Sequence, residues 1–183
     1  MNDNCLAAVK IDQDLCSRCK VCYSLCPFES ILERKDGRIE IDIQKCQVCG
    51  ICYSACPASA IEMTYYDYDG LLEYVRTASP SAGTLVMMCR GNSPSSGEVE
   101  DILADHGLDT KDYLPLRIPC AGRVPTDFLF RALSSGIRNI VSIQCQDGFC
   151  RMKEGTRIET RRLLLGQSVL RQFGYPEDAL RVG

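Results

Sequence analysis

The sequence predicts two unlike domains in series: an α+β domain over residues 1–65 and, after a connector over 66–83, a small α/β domain over 84–183 built on a three-stranded parallel sheet. Three observations carry this. A pattern centred on four cysteines occurs twice in the first third of the chain, which marks an internally duplicated unit. The segment TYYDYDGLLEYVRTASPSAG then changes character, with tyrosines and acids giving way to small turn residues. From Thr84 three apolar runs alternate with helix-like stretches, as strands joined by crossover helices do. At 183 residues, 45% hydrophobic and 25% charged, the chain is globular in composition and has room for one ordinary domain plus a small one.

The repeat reads C-x2-C-x2-C-x3-C-P twice, as Cys16, Cys19, Cys22, Cys26 before Pro27 and as Cys46, Cys49, Cys52, Cys56 before Pro57. Ile11-Asp12 matches Ile41-Asp42 ahead of the cysteines, Tyr23-Ser24 matches Tyr53-Ser54 within, and Ile31 matches Ile61 behind. This spacing lets a loop wrap a 4Fe-4S cube, the first three thiolates holding one cube and the fourth reaching across to the other. Cluster one then uses Cys16, Cys19, Cys22 and Cys56, and cluster two uses Cys46, Cys49, Cys52 and Cys26. The region resembles a bacterial-type ferredoxin domain with two 4Fe-4S clusters, an α+β ferredoxin-like fold. Zinc modules usually separate two C-x2-C pairs by a longer stretch, and a disulfide framework belongs to secreted chains, so neither matches the pattern well. Pro27 and Pro57 are expected in the first turn of short helices, FESIL and ASAIEM. Val21, Leu25, Val48, Ile51 and Ala55 are expected to keep water from the clusters, with loop N–H groups donating to their sulfurs.

Within the connector, Leu71, Leu72 and Val75 have helical spacing, and Tyr65, Tyr66 and Tyr68 read as interface packing. In the second domain, helix starts are predicted at Ser95 or Ser96, at Pro125-Thr126-Asp127, and at Thr156 with Glu159 as a capping box. Gly107, Gly136 and Gly174 read as stops. Cys89, Cys120 and Cys145 each fall at the C-terminal end of a predicted strand, and Cys150 sits in the loop after the third. Those ends share one edge of a parallel sheet, outside which open α/β folds build their sites, so four thiols distant in sequence should converge. Four thiolates can hold a 2Fe-2S cluster, a third 4Fe-4S cluster or a zinc ion, or be plain buried cysteines. A disulfide between Cys145 and Cys150 is chemically open but unusual in a reducing compartment.

The segments LVMMC ending at Cys89, IPCAGRV over Ile118 to Val124, and QCQDGFC over Gln144 to Cys150 followed by TRIETRRLLLGQSVLRQFG resemble the delta subunit of methyl-viologen-reducing hydrogenase. The resemblance spans about Thr84 to Gly183. It implies an electron-transfer subunit of a heterodisulfide-reductase-type complex, with a 2Fe-2S cluster on Cys89, Cys120, Cys145 and Cys150. The implied partners are a heterodisulfide-reductase-like flavoprotein and a hydrogenase, formate dehydrogenase or other dehydrogenase subunit. The family's first motif typically carries a second cysteine where this chain has Asn92, and its last usually ends Cys-His where this chain has Arg151. Two other readings stand beside it: a thiol-redox enzyme module using Cys145 and Cys150, and a zinc-stabilised docking module.

A net charge of -3 without a basic run gives no sign of nucleic acid or an anionic membrane, and no apolar stretch is long enough to span a bilayer. Thirteen cysteines, with no signal-peptide pattern in MNDNCLAAVKIDQD, point to the cytoplasm. No nucleophile, base or oxyanion constellation stands out. His106, the one histidine, reads as a solvent-facing or dipole-compensating residue at a helix end. Arg157, Arg161 and Arg162 form either a basic stripe for an acidic partner or a solvated helix face, and Cys5 is unassigned.

Overall fold

A computed structural model of the protein describes residues 8–78, 82–146 and 148–183; Cys5, Ser79 to Ser81 and Asp147 lie outside the described residues. The duplicated half places two short helices, α1 (Val21–Leu25) and α2 (Ile51–Ala55), against two antiparallel ribbons. Strand β1 (Val9–Ile11) pairs with β4 (Ile61–Met63), and β2 (Ile31–Glu33) pairs with β3 (Ile39–Ile41). Val9, Ile31, Ile39 and Ile61 close a core from which the cysteines project, which explains the repeated isoleucines. The repeated aspartates have a task too. Asp12 and Asp42 accept from the backbone N–H of Asp14 and Gln44, at 2.8 and 3.0 Å, while their carbonyls accept from Cys16 and Cys46, fixing the turn into each loop.

The prolines correct an expectation. FESIL and ASAIEM are a turn followed by a strand, and the helices lie before Pro27 and Pro57. A residue preceding proline is driven out of the helical region, and Cys26 (φ -71, ψ 110) and Cys56 (φ -75, ψ 112) are extended accordingly. The proline thus ends a helix here, and the left-handed residues Glu29 and Ser59 turn the chain into β2 and β4.

The second half is a parallel sheet ordered β6-β5-β7-β8, from β5 (Thr84–Cys89), β6 (Tyr113–Ile118), β7 (Asn139–Ile143) and β8 (Leu180–Val182). It has four strands where the sequence predicts three. The fourth is a three-residue edge strand following Pro176, too short for its alternation to stand out. Pro115 is tolerated because β6 is the opposite edge. Along β5, Leu85, Met87 and Cys89 face one side and Val86 and Met88 the other. The first face packs on α3 (Tyr68–Ala78), α5 (Thr126–Ser134) and α6 (Gly155–Gln172), while α4 (Ser96–Asp105) covers the second through Val99 and Leu103. The connector helix α3 therefore contributes Tyr68, Leu72 and Val75 to the core of the sheet domain.

Of the predicted helix starts, Ser95 forms a capping box with Glu98 and Pro125 precedes α5. The third differs. Helix α6 begins at Gly155 without a side-chain cap; Thr156 Oγ instead donates to the Cys145 carbonyl at 3.0 Å, and Glu159 turns into the interior. Gly107 and Gly174 adopt φ +66 and +80 just past α4 and α6, as stop signals should. His106 caps the end of α4 and its Nε2 lies 3.2 Å from the Val182 carbonyl, so it also touches β8.

Candidate functional site

Each copy of the repeat bends its cysteine loop through left-handed residues, Arg18 and Lys20 in one and Val48 and Gly50 in the other. Such alternation turns successive N–H groups inward, as an anion-binding concavity requires, and φ +53 at the β-branched Val48 is strain stored at the site. One cavity is lined by Cys16, Cys19, Cys22 and Cys56, and a second by Cys26, Cys46, Cys49 and Cys52. The two are nearly equal in size, as duplication would give. Each holds three cysteines of one copy and the last cysteine of the other. The extended Cys26 and Cys56, with the turns that follow, carry those side chains across. Ser30 N–H and Ala60 N–H donate to their sulfurs at 3.4 and 3.3 Å. The Ser30 hydroxyl also lies 3.1 Å from the Cys26 sulfur, a contact that Ala60 cannot make with Cys56. Ile51 is fully buried beside the second cavity, whereas Leu25, expected to exclude water, is exposed.

The third group sits at the C-terminal edge of the sheet. Cys89 ends β5, and Cys120 and Cys145 follow β6 and β7 by two residues; with Cys150 they line one cavity of about 270 Å³. Cys89 and Cys145 sulfurs are 3.5 Å apart. A Cβ at Gly155 would fall 2.4 Å from the Cys120 sulfur and 3.3 Å from that of Cys150, and one at Gly91 would fall 2.6 Å from Cys145. Only glycine lets the backbone approach the sulfurs this closely, and the sequence pattern did not single out either residue. Asn92 donates to the Gln144 carbonyl at 2.7 Å, tying the loops that carry Cys89 and Cys145, while Arg151 lines the cavity. Among the described residues no three Cys, His, Asp or Glu side chains come close enough together to hold a single metal ion. A cluster of several irons spreads its thiolates over a larger body, and the loop strain, the two glycines and the all-sulfur donor sets fit such a group.

Crowded, buried or half-buried thiols resist ionisation when no cation faces them. Burial, then the neighbouring cysteines, pushes Cys52 up to about 12 and raises Cys120 and Cys145. Burial also raises Cys26, but hydrogen bonds from Ser30 outweigh it and the net shift is down. Backbone donation at Val21 lowers Cys19, which is exposed. A bound polyvalent metal group removes this cost by holding the sulfurs as thiolates.

The two halves meet close to the second and third cavities. Ser54 Oγ donates to the Gly122 carbonyl at 3.0 Å, Lys153 Nζ to the Pro27 carbonyl at 2.9 Å, and Tyr68 stacks on Tyr53 with centroids 5.8 Å apart. Of the tyrosines read as interface packing, Tyr68 is buried, while Tyr65 and Tyr66 are exposed but receive the Arg123 side chain. Arg162 does not join a basic stripe. It is half-buried and donates to the Gly122 and Val124 carbonyls at 2.8 and 2.9 Å, whereas Arg157 pairs with Glu154.

Residues 8–57 match the family model of the 4Fe-4S dicluster domain, and residues 85–183 match that of the methyl-viologen-reducing hydrogenase delta subunit. A curated relative, an iron-sulfur subunit of the F420-non-reducing hydrogenase of Archaeoglobus profundus, is 33% identical over 67 residues, 37% of this chain and 49% of the relative. The match thus spans about half the length of that relative. With more than half of its length in the second match, the chain belongs to the methyl-viologen-reducing hydrogenase delta-subunit family, as an iron-sulfur protein with a 4Fe-4S dicluster domain ahead of the family domain.

Proposed function

We propose that the chain is a relay for single electrons, with a 4Fe-4S cluster on Cys16, Cys19, Cys22 and Cys56, a second on Cys26, Cys46, Cys49 and Cys52, and a 2Fe-2S cluster on Cys89, Cys120, Cys145 and Cys150. The observation that supports this most is the grouping of twelve cysteines into three cavities of four. Residues 1–65 form the dicluster domain, 66–83 the connector and 84–183 the family domain. When bound, such clusters take up and release one electron with little rearrangement. The residues of this chain set distance and potential: the loop N–H groups and Ser30 stabilise negative charge on sulfur, and Ile51 and Ile39 exclude water.

The partners are a heterodisulfide-reductase-like flavoprotein on one side and a hydrogenase, formate dehydrogenase or other dehydrogenase subunit on the other. The supporting facts are the family and the name of the relative, which is a hydrogenase component. No helix among the described residues is long and apolar enough to cross a membrane. The cytoplasm is the proposed location, since that many thiols persist best where reductants keep them free for metal. Anaerobic metal analysis with EPR tests the reading. About ten irons per chain and three distinct reduced signals are expected. About eight irons with one zinc would replace the third centre by a structural zinc, and about eight alone would return Cys145 and Cys150 to thiol chemistry.

A further inference from the structure

Arg123 is the largest wholly buried side chain among the described residues, 1% exposed, and its stem lies over Gly50, a residue that lines the second cavity. It lies three residues after Cys120, at the end of a 3-10 turn, Ala121–Arg123. Its stem crosses into the other domain and covers Gly50, the residue after Cys49: a Cβ there would fall 2.5 Å from the arginine Cγ and 3.1 Å from Nε. Nη2 donates to the Tyr65 carbonyl, and Cζ stands 5.4 Å from the centre of the Tyr66 ring. Nε is buried with no hydrogen-bond partner among the described residues. No carboxylate pairs with the guanidinium among them either.

An arginine keeps its charge even where burial disfavours it, and a buried cation without a counter-charge costs several kcal/mol. Its charge must be offset by groups other than carboxylates. Among the cysteines, Cys49 interacts electrostatically with both Arg123 and Cys120, and Cys22 with Cys52 links the first cavity to the second.

We propose that Arg123 is the counter-charge shared by the groups that Cys49 and Cys120 hold, and that electrons cross between the two domains at this point. This rests on the iron-sulfur reading above. The cation favours the more negative, reduced state of both neighbours and so raises their potentials relative to the group on Cys16, Cys19, Cys22 and Cys56. Arg123 also positions the loop, because its stem fills the space that Gly50 leaves open.

The test is an anaerobic redox titration, followed by EPR, of the full chain with Arg123→Met and Arg123→Lys. In Arg123→Met the reduced-to-oxidised ratio at a fixed potential should fall about tenfold, about 59 mV for one electron, for one cube and for the C-terminal centre, with the other cube unmoved. Arg123→Lys should restore most of the shift. Unchanged potentials at full iron content, or an equal shift of all three centres, would overturn the proposal. If Arg123→Met fails to assemble, the unaltered protein decides: magnetic coupling should broaden the C-terminal signal together with the cube that Cys46→Ala abolishes, and coupling to the other cube instead would refute the crossing point. An unaltered protein without iron would sink the relay itself, a result distinct from any of these.

Discussion

Glu159 offers the most exacting test of the fold, because its carboxyl is fully buried on α6 and neither oxygen has a hydrogen-bond partner among the described residues. Burial raises it from 4.5 to about 8, with the Arg162 guanidinium pulling only partly the other way. The unfolded chain therefore releases this proton well before the folded one. Stability falls as pH rises from the ordinary carboxyl range towards 8 and levels off above it. Each tenfold change in proton concentration inside that window is worth about 1.4 kcal/mol, so from pH 6 to pH 9 the loss from this residue is about 3 kcal/mol. Glu159→Gln keeps the shape and removes the ionisation. Anaerobic urea unfolding, read by far-UV circular dichroism at both pH values, should show the variant losing about 3 kcal/mol less than the parent over that interval. Parallel losses in the two proteins would mean that the carboxyl is ionised or solvated in the fold, and the burial argument would be wrong.

Ser30→Ala removes the hydroxyl from the Cys26 sulfur and should lower the potential of one cube by roughly 40 mV, about 1 kcal/mol, without touching the other. Ala60→Ser should raise the other by a similar amount; an EPR titration reads both, and a shift in the wrong cube would contradict the crossed ligand sets. Gly155→Ala drives a Cβ against the Cys120 sulfur, so iron content should drop by about two atoms per chain while the cube signals persist. Tyr68→Phe deletes a buried hydroxyl that has no partner among the described residues and should leave thermal stability equal or higher by about 1 kcal/mol. Tyr68→Ala, which empties the stack between Tyr53 and Phe128, should cost about 3–5 kcal/mol in the same melt.

The cysteine spacing carried most of what was legible in the sequence, because a loop that must present three thiols inward and a fourth outward leaves little freedom in register. The strand-end positions of Cys89, Cys120 and Cys145 were legible for a related reason: parallel strands align their ends, so similar placement in three runs means proximity in space. Where the sequence misled, a local signal was ambiguous. Pro27 and Pro57 suit the start of a helix, yet the conformation that proline forces on Cys26 and Cys56 ends one instead. Thr156 and Glu159 had the spacing of a capping box, but burial of the carboxyl in the interior outweighed it. The contributions of Gly91, Gly155 and Arg123 come from contacts between distant segments. An arginine in a loop reads as solvated until the glycine beneath it is known.

Because each of the two four-cysteine cavities in the duplicated half borrows one sulfur from the opposite copy, neither copy is self-sufficient. Damage to a single thiol, such as oxidation of the exposed Cys19, would be felt first in its own centre and then, through the loop that lends Cys56, by the segment framing its neighbour. Interlocking of this kind makes the pair assemble, and fail, as a unit. A single copy would therefore carry three cysteines of one cavity and the fourth of the other.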